Sequence, residues 1–391
     1  MNENRWASRR AKAMPVDMFA TMDAAKSQAR ARGLEIIDLS LGASDLHPPA
    51  SALRALREAT DDPATYGYCL HACTQPFREA AARWYGERYR CEVDPETQVL
   101  PLIGSQEGFA NLLFATTDPG DTILLPDPGF PSYFGAVAVA GLDVVPTPLL
   151  AENGFLPDLS AIGTEDARRA RVMVISYPNN PTAAVASDAF MREVAEFCAD
   201  NDILLVHDFP YVDLVFGDYE APSVLVQPGG LRGRIELYSC SKSFHMGGFR
   251  LGWAIGDAEV IAALARVKGS IDFNQYLGIQ RAAIAALAEP RRRVRQDAAE
   301  FQARRDVLVE TLNQAGWETP LPKASLYVWT RLPSGLSDSF AFTVNLARET
   351  GIALAPGRGF GVQGEGFVRF ALVRDAEVLK RAVERIHAFL D

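Results

Sequence analysis

The stretch RVMVISYPNNPTAAVASDAFMREVAEFCADNDILLVHD, Arg171–Asp208, decides the fold. A short apolar run stands at each end, Arg171–Ser176 and Ile203–Asp208, rich in Ile, Leu and Val and bounded by turn residues. Runs of that length and composition read as buried strands. Between them Ser187 can cap a helix whose Phe190, Val194, Phe197 and Cys198 fall on one face. Three more runs of the same kind, Val99–Ile103, Thr122–Leu125 and Ile235–Ser239, extend the series. Strand, helix, strand in repetition predicts an α/β domain with a mostly parallel sheet flanked by helices.

Past about residue 290 the texture changes. Arg291–Arg305 is a heavily charged helical stretch, followed by a helix through Leu308–Ala315, strands at Leu326–Thr330 and Phe367–Leu372, and a final helix over Ala376–Leu390. That order predicts a smaller α+β domain. The first fifty residues, ending in LSLGASDLHPP, read as an arm and a loop. The expected division is an N-terminal arm and part of the small domain over 1–47, a large domain over 48–290, and a small C-terminal domain over 291–391.

Composition narrows the partners. Lys and Arg number 39 against 49 Asp and Glu, a net charge of -10, whereas a nucleic-acid binder shows a basic excess. Cys69, Cys73, Cys91, Cys198 and Cys240 are an odd set without CxxC spacing, which fits reduced thiols in the cytoplasm. The opening MNENRWASRRAKAMPVDMF has no apolar run behind its basic residues, so no signal peptide is expected. No run of about 18 apolar residues marks a membrane span. The five histidines lack ligand spacing, so no metal is expected.

Four of the expected strands lead into polar turns: Gly104–Gly108, Tyr177–Thr182, Asp208–Tyr211 and Ser239–Ser243. Ligands of open parallel sheets bind outside the carboxyl ends of the strands, so these turns converge on one rim. Lys242 sits there among small hydroxyl residues. A partly desolvated lysine amine has a lowered pKa and forms a Schiff base with a carbonyl. An aspartate at another strand end, Asp208, can keep a pyridinium nitrogen protonated, and the two together match the needs of pyridoxal phosphate. Ser105, Gln106, Ser239, Ser241 and Arg250 offer donors to its phosphate, the first two also through N–H groups at a helix start.

At these residues the sequence resembles the class I/II aminotransferases, pyridoxal-phosphate enzymes of fold type I, from about Leu39 to Phe370. The pattern SxSK-x5-GxRxG stands as Ser239-Cys240-Ser241-Lys242 and Gly248-Phe249-Arg250-Leu251-Gly252, preceded in order by PNNPT and DxxY motifs. The resemblance implies a seven-stranded sheet, Lys242 as the Schiff-base lysine and Asp208 as partner of the pyridine nitrogen. It implies that Tyr211 and Asn180 hydrogen-bond the ring's phenolic oxygen, that Phe130 stacks on the ring, and that Ser105, Gln106, Ser239 and Arg250 hold the phosphate. Tyr68 matches a tyrosine donated to the neighbouring subunit of a homodimer. Arg369 in VRFAL matches the arginine that binds the substrate α-carboxylate, beside Asn180, and Gly42 in LGASD the loop that closes over it. The implied reaction is a ping-pong transfer of an amino group between an L-amino acid and a 2-oxo acid.

The chain departs from the family pattern at Cys73, at Ala183 in PNNPTAA, and in LPKASLYVW, where Lys323 and Ala324 replace the more frequent Pro-x-Gly. The segments KASLYVW and SKSFHMGGFRLG look closest to diaminopimelate-type aminotransferases, with aspartate and aromatic donors as alternatives. Arg358, in GRGFG, either meets an acidic substrate side chain or lies on the surface; His71 and His245 either line the pocket or pack. Three rivals stay open: a lyase of the same fold (a C–S β-lyase or a cyclising synthase), a non-catalytic protein that retains the fold, and a nicotinamide oxidoreductase.

Overall fold

The computed structural model describes residues 5–14 and 18–390. Its central sheet has seven strands: β1 (Val99–Leu102), β2 (Thr122–Asp127), β3 (Asp143–Pro148), β4 (Ala170–Ile175), β5 (Leu204–Asp208), β6 (Arg234–Ser239) and β7 (Gly252–Gly256). Their spatial order is β1-β7-β6-β5-β4-β2-β3. β7 alone runs against the direction of the other six. The other six therefore present their carboxyl ends along one edge, and the expected α/β class with a mostly parallel sheet holds.

Alternation along each strand feeds two cores. Val172 and Val174 of β4 face a layer built with Leu112, Val137 and Leu264, from helices Ser105–Thr116, Pro131–Ala140 and Ala258–Ile271. Met173 and Ile175 face the other layer, with Phe77, Val194 and Ala283 from helices Gln75–Tyr89, Asp188–Asp200 and Leu277–Leu287. A parallel sheet covered on both faces explains why its strands read as continuous apolar runs. Each fully buried Val, Leu, Ile or Phe contributes about 1.5–3 kcal/mol, so a charge at Val174 would disrupt the sheet where it holds the rim.

A second, three-stranded sheet comprises β8 (Tyr327–Arg331), β9 (Ala355–Pro356) and β10 (Phe367–Ala371), all antiparallel, in the order β9-β10-β8. Val328 and Phe370 pack there with Leu308, Leu346 and Val383, from helices Arg291–Gln314, Ser339–Thr350 and Ala376–Leu390. Arg291–Gln314 is one continuous helix rather than a charged stretch and a separate helix. Val294, Ala298, Phe301, Arg305, Leu308 and Leu312 keep its inward stripe unbroken.

The first fifty residues hold more structure than an arm and a loop. Met18–Ala31 is helical, and Ile37–Asp38 pairs parallel with Ile352–Ala353. The helix buries Met22, Ala25 and Ala29, a face too small and weakly apolar to stand out in sequence. The sheets are also tied together, because Asp127 at the end of β2 accepts the N–H groups of Val362 and Gln363 at 3.1 and 2.9 Å. Among the described residues no helix is long and apolar enough to cross a membrane.

Candidate active site

A cavity of about 770 Å³ opens along the carboxyl edge of the central sheet. Asp208, the last residue of β5, projects into it. Its Oδ2 accepts the Tyr133 hydroxyl at 2.5 Å, while Oδ1 is buried with no partner among the described residues. Burial lifts the carboxyl pKa to about 6, against the opposing pull of the Tyr133 bond and of His207 and Lys242. Burial also raises the Tyr133 phenol well above its ordinary value, which keeps it a donor. A buried carboxylate oxygen without a donor is costly, so this atom is prepared for a proton-bearing group.

β6 ends at Ser239, whose side chain accepts the Ser241 N–H at 3.1 Å and caps the one-turn helix Cys240–Ser243. That cap directs Lys242 into the cavity, where Nζ donates to the Gly42 carbonyl at 2.5 Å and lies 5.7 Å from the Tyr211 ring centre. Helix Ser105–Thr116 begins at the same rim behind Gly104, which adopts φ +79. A Cβ on Gly104 would fall 2.4 Å from Arg250 Nη2, so only glycine lets the guanidinium lie across the helix start. Unpaired amides, helix dipole and Arg250 together form an anion cup, completed by Gln106 and Ser241. Gln275 pins the cup by donating to the carbonyls of Leu102 (2.9 Å) and Arg250 (3.2 Å). Phe130 immediately precedes helix Pro131–Ala140, its ring edge-on to Tyr133 with centroids 5.6 Å apart.

The opposite wall belongs to β10 and to the loop after Asp38. Arg369 is 2% exposed; Nη1 donates to Asn180 Oδ1 at 2.6 Å and Nη2 to the Ser40 carbonyl at 2.7 Å. Its Nε has no partner among the described residues, and the guanidinium lies 4.0 Å from the Tyr327 ring centre. Tyr327 and Tyr211 share a hydrogen bond of 3.0 Å between hydroxyls. Burial raises Tyr211 well above the ordinary phenol value, and its link to Tyr327 adds to that. Burial pushes Tyr327 the same way, but Lys242 and Arg369 outweigh it and bring that phenol below its ordinary value. A Cβ on Gly42 would sit 1.9 Å from the Tyr327 hydroxyl oxygen, so this loop approaches only as glycine.

Every site residue expected from the sequence lines this cavity except Tyr68. Tyr68 is 79% exposed, edge-on to Phe273 and outside the lining. Arg358 is exposed and outside the cavity lining of this chain; His71 and Cys73 are exposed as well, and His245 lines the wall. Sequence reasoning missed Tyr133, three residues past Phe130, and Tyr327, inside LPKASLYVW, a segment compared as a whole with no site role given to its tyrosine. It also missed Met14, Met18 and Phe19, which line the cavity and which no motif marks. Among the described residues no group of three or more His, Cys, Asp or Glu is placed to hold a metal ion.

Comparison with known proteins follows the same lines. The family model for aminotransferase class I and II matches residues 35–386. The LL-diaminopimelate aminotransferase of Moorella thermoacetica is 41% identical over 383 residues, covering 98% of each chain. A probable N-succinyldiaminopimelate aminotransferase from Thermus thermophilus superposes with a TM-score of 0.91 at 48% identity, over 95% of this chain and 100% of that one. A mutant aspartate aminotransferase of Thermus thermophilus gives 0.92 at 29% identity, over 98% and 99%. A rim lysine facing a buried aspartate, on a fold shared along almost the full length with these enzymes, makes this chain a member of the class I and II aminotransferase family.

Proposed function

We propose that the cavity holds pyridoxal phosphate and moves an amino group from a diaminopimelate-type donor to a 2-oxo acid. The observation that carries this reading is the unpartnered Asp208 Oδ1, buried in the same cavity as Lys242 Nζ and the anion cup. A protonated ring nitrogen would supply the donor that Oδ1 lacks. Ser105, Gln106, Ser239, Ser241 and Arg250 would hold the phosphate, Asn180 and Tyr211 the phenolic oxygen, and Phe130 the ring face. When bound, the cofactor supplies an electron sink for negative charge developing at the substrate Cα.

The chain's own groups do the rest. Arg369 offers the unpartnered Nε and its Nη groups to the α-carboxylate, a planar fork that fixes orientation as well as charge. Asn180 and the Gly42 loop flank it. Lys242 Nζ, once off the Gly42 carbonyl, would take the proton from the substrate Cα and pass it on to the cofactor side, a base and then an acid in one group. The cavity walls, with Phe130 and Tyr327, exclude water from that exchange.

Exposed Tyr66, Tyr68, Leu70, Ile271 and Phe273 supply the apolar surface for a homodimer in which Tyr68 reaches the neighbour's phosphate site. Five free cysteines accord with the cytoplasm. Relatives named for diaminopimelate substrates, at 41% and 48% identity, support the donor class. The test is a donor panel (LL-diaminopimelate, its N-succinyl form, aspartate, an aromatic amino acid) with 2-oxoglutarate and pyruvate as acceptors. A diaminopimelate form should give the highest kcat/KM. Ammonia and pyruvate made without any acceptor would identify an eliminating lyase instead.

A further inference from the structure

The segment Ser40–Asp45 borders the cavity and is held by side chains from four separate places. Arg369 donates to the Ser40 carbonyl and Lys242 to that of Gly42, at 2.7 and 2.5 Å. Arg304 pairs with Asp45 at 2.6 Å, and Ser44 Oγ lies 2.8 Å from His245 Nδ1. The first two ties belong to groups that must turn to substrate during the proposed reaction. The Ser44 and Asp45 ties are free of that duty, as are the bonds that Asp38 Oδ1 accepts from the Ser40 N–H and hydroxyl at 3.0 and 2.6 Å.

His245 is built for this contact. It follows Lys242 by three residues, is buried, and takes a left-handed backbone conformation with φ +57. That conformation is sterically costly for most side chains and more accessible to histidine, asparagine and aspartate. On its far side Nε2 lies 3.3 Å from Asp297 Oδ2, close enough for electrostatic attraction but not aligned as a hydrogen bond. Arg293 holds the other oxygen of Asp297. The Leu46 N–H donates to Ser44 Oγ at 3.2 Å. With the ring proton on Nε2, on the side of Asp297, Nδ1 accepts and the Ser44 hydroxyl donates. Every group in that chain then has one consistent direction.

We propose that His245 is a positioning residue for the substrate-carboxylate loop, holding Ser44 so that the Ser40 and Gly42 carbonyls stay in place while Arg369 and Lys242 engage substrate. The inference rests on the aminotransferase reading of the site. Without the tie, the loop is competent for only a fraction of the time, and apparent substrate affinity falls by that fraction. Chemistry at Lys242 is unchanged once substrate is bound.

The experiment compares wild type, His245→Leu, His245→Asn, Ser44→Ala and the Leu/Ala double variant, all loaded with cofactor. Each is assayed for kcat and KM of the best amino donor, and for calorimetric affinity toward that donor's unreactive α-methyl analogue. Loss of one hydrogen bond predicts a KM and a dissociation constant raised about 3–10-fold in His245→Leu and Ser44→Ala, with kcat within about twofold. The double variant should be no worse than either single one. His245→Asn accepts the left-handed backbone and offers an amide oxygen near the Nδ1 position, so it should restore most of the affinity. If His245→Leu does not fold, Ser44→Ala and His245→Asn carry the comparison. Unchanged KM and affinity in Ser44→Ala, or a loss confined to kcat, would overturn the positioning role. A wild-type enzyme that binds cofactor but transfers no amino group would remove the functional reading and this inference together.

Discussion

The two walls of the cavity are held in different ways. Asp208, Ser239 and Lys242 stand at the ends of β5 and β6, neighbours whose backbones are hydrogen-bonded along their length. Arg369 is held by side-chain bonds to Asn180 and Ser40, 189 and 329 residues away in sequence. A ladder of backbone bonds fixes the first wall before any ligand arrives. Arg369 also stands on a paired strand, β10 between β8 and β9, but its guanidinium and the Gly42 loop beside it are held by a few bonds that can exchange for bonds to substrate. On the proposed function the difference would place chemistry on the rigid wall and recognition on the adjustable one, and it predicts how variants divide between kcat and KM.

The largest effect belongs to the rigid wall. Lys242→Ala should lower turnover by about 10⁴-fold, the upper range for a positioned acid and base, while leaving the fold intact. A rate within tenfold of wild type would break the division. On the other wall, Arg369→Lys keeps a charge but loses the planar fork, and should lower kcat/KM by about 10²-fold, mostly through KM. Steady-state kinetics with one amino donor decides; a loss seated wholly in kcat would place Arg369 with the chemistry.

Asp208 gives the comparison a thermodynamic form. Burial raises its folded pKa from 3.8 to about 6, so the folded cofactor-free protein keeps a proton that the unfolded chain has released. The resulting stability is full below the unfolded value and is lost as pH rises through about 6. The shift corresponds to up to about 3 kcal/mol. Urea unfolding of the cofactor-free protein between pH 4 and 8 should show that decline in wild type and not in Asp208→Asn. Parallel pH profiles for both proteins would contradict it. The smallest effect should come from Tyr327→Phe, which removes the hydroxyl bonded to Tyr211 and should raise donor KM about fivefold, the value of one hydrogen bond.

The same contrast explains what the sequence disclosed. β4, β5 and β6 are covered on both faces, so their composition alone marks them, and the polar residues that end them point to the rim. β3 escaped because it lies at the sheet edge, largely exposed, with Pro146 and Pro148 in its run. β7 escaped because glycine stands at both its ends. Lys242 and Asp208 were legible since a charge directly after a buried strand needs a reason. Arg369 and Asn180 were found only through the family resemblance, because no local pattern announces a contact across 189 residues. Tyr133 carried no signal for a similar reason: its partner Asp208 is 75 residues away.

Lysine identity at the rim is the most direct test. The purified enzyme is loaded with pyridoxal phosphate, reduced with borohydride, digested and sequenced by mass spectrometry. The phosphopyridoxyl group should appear on the peptide that carries Lys242 in wild type and be absent from Lys242→Ala. A label on another lysine such as Lys268, with Lys242 unmodified, would contradict the assignment of the rim as the catalytic wall.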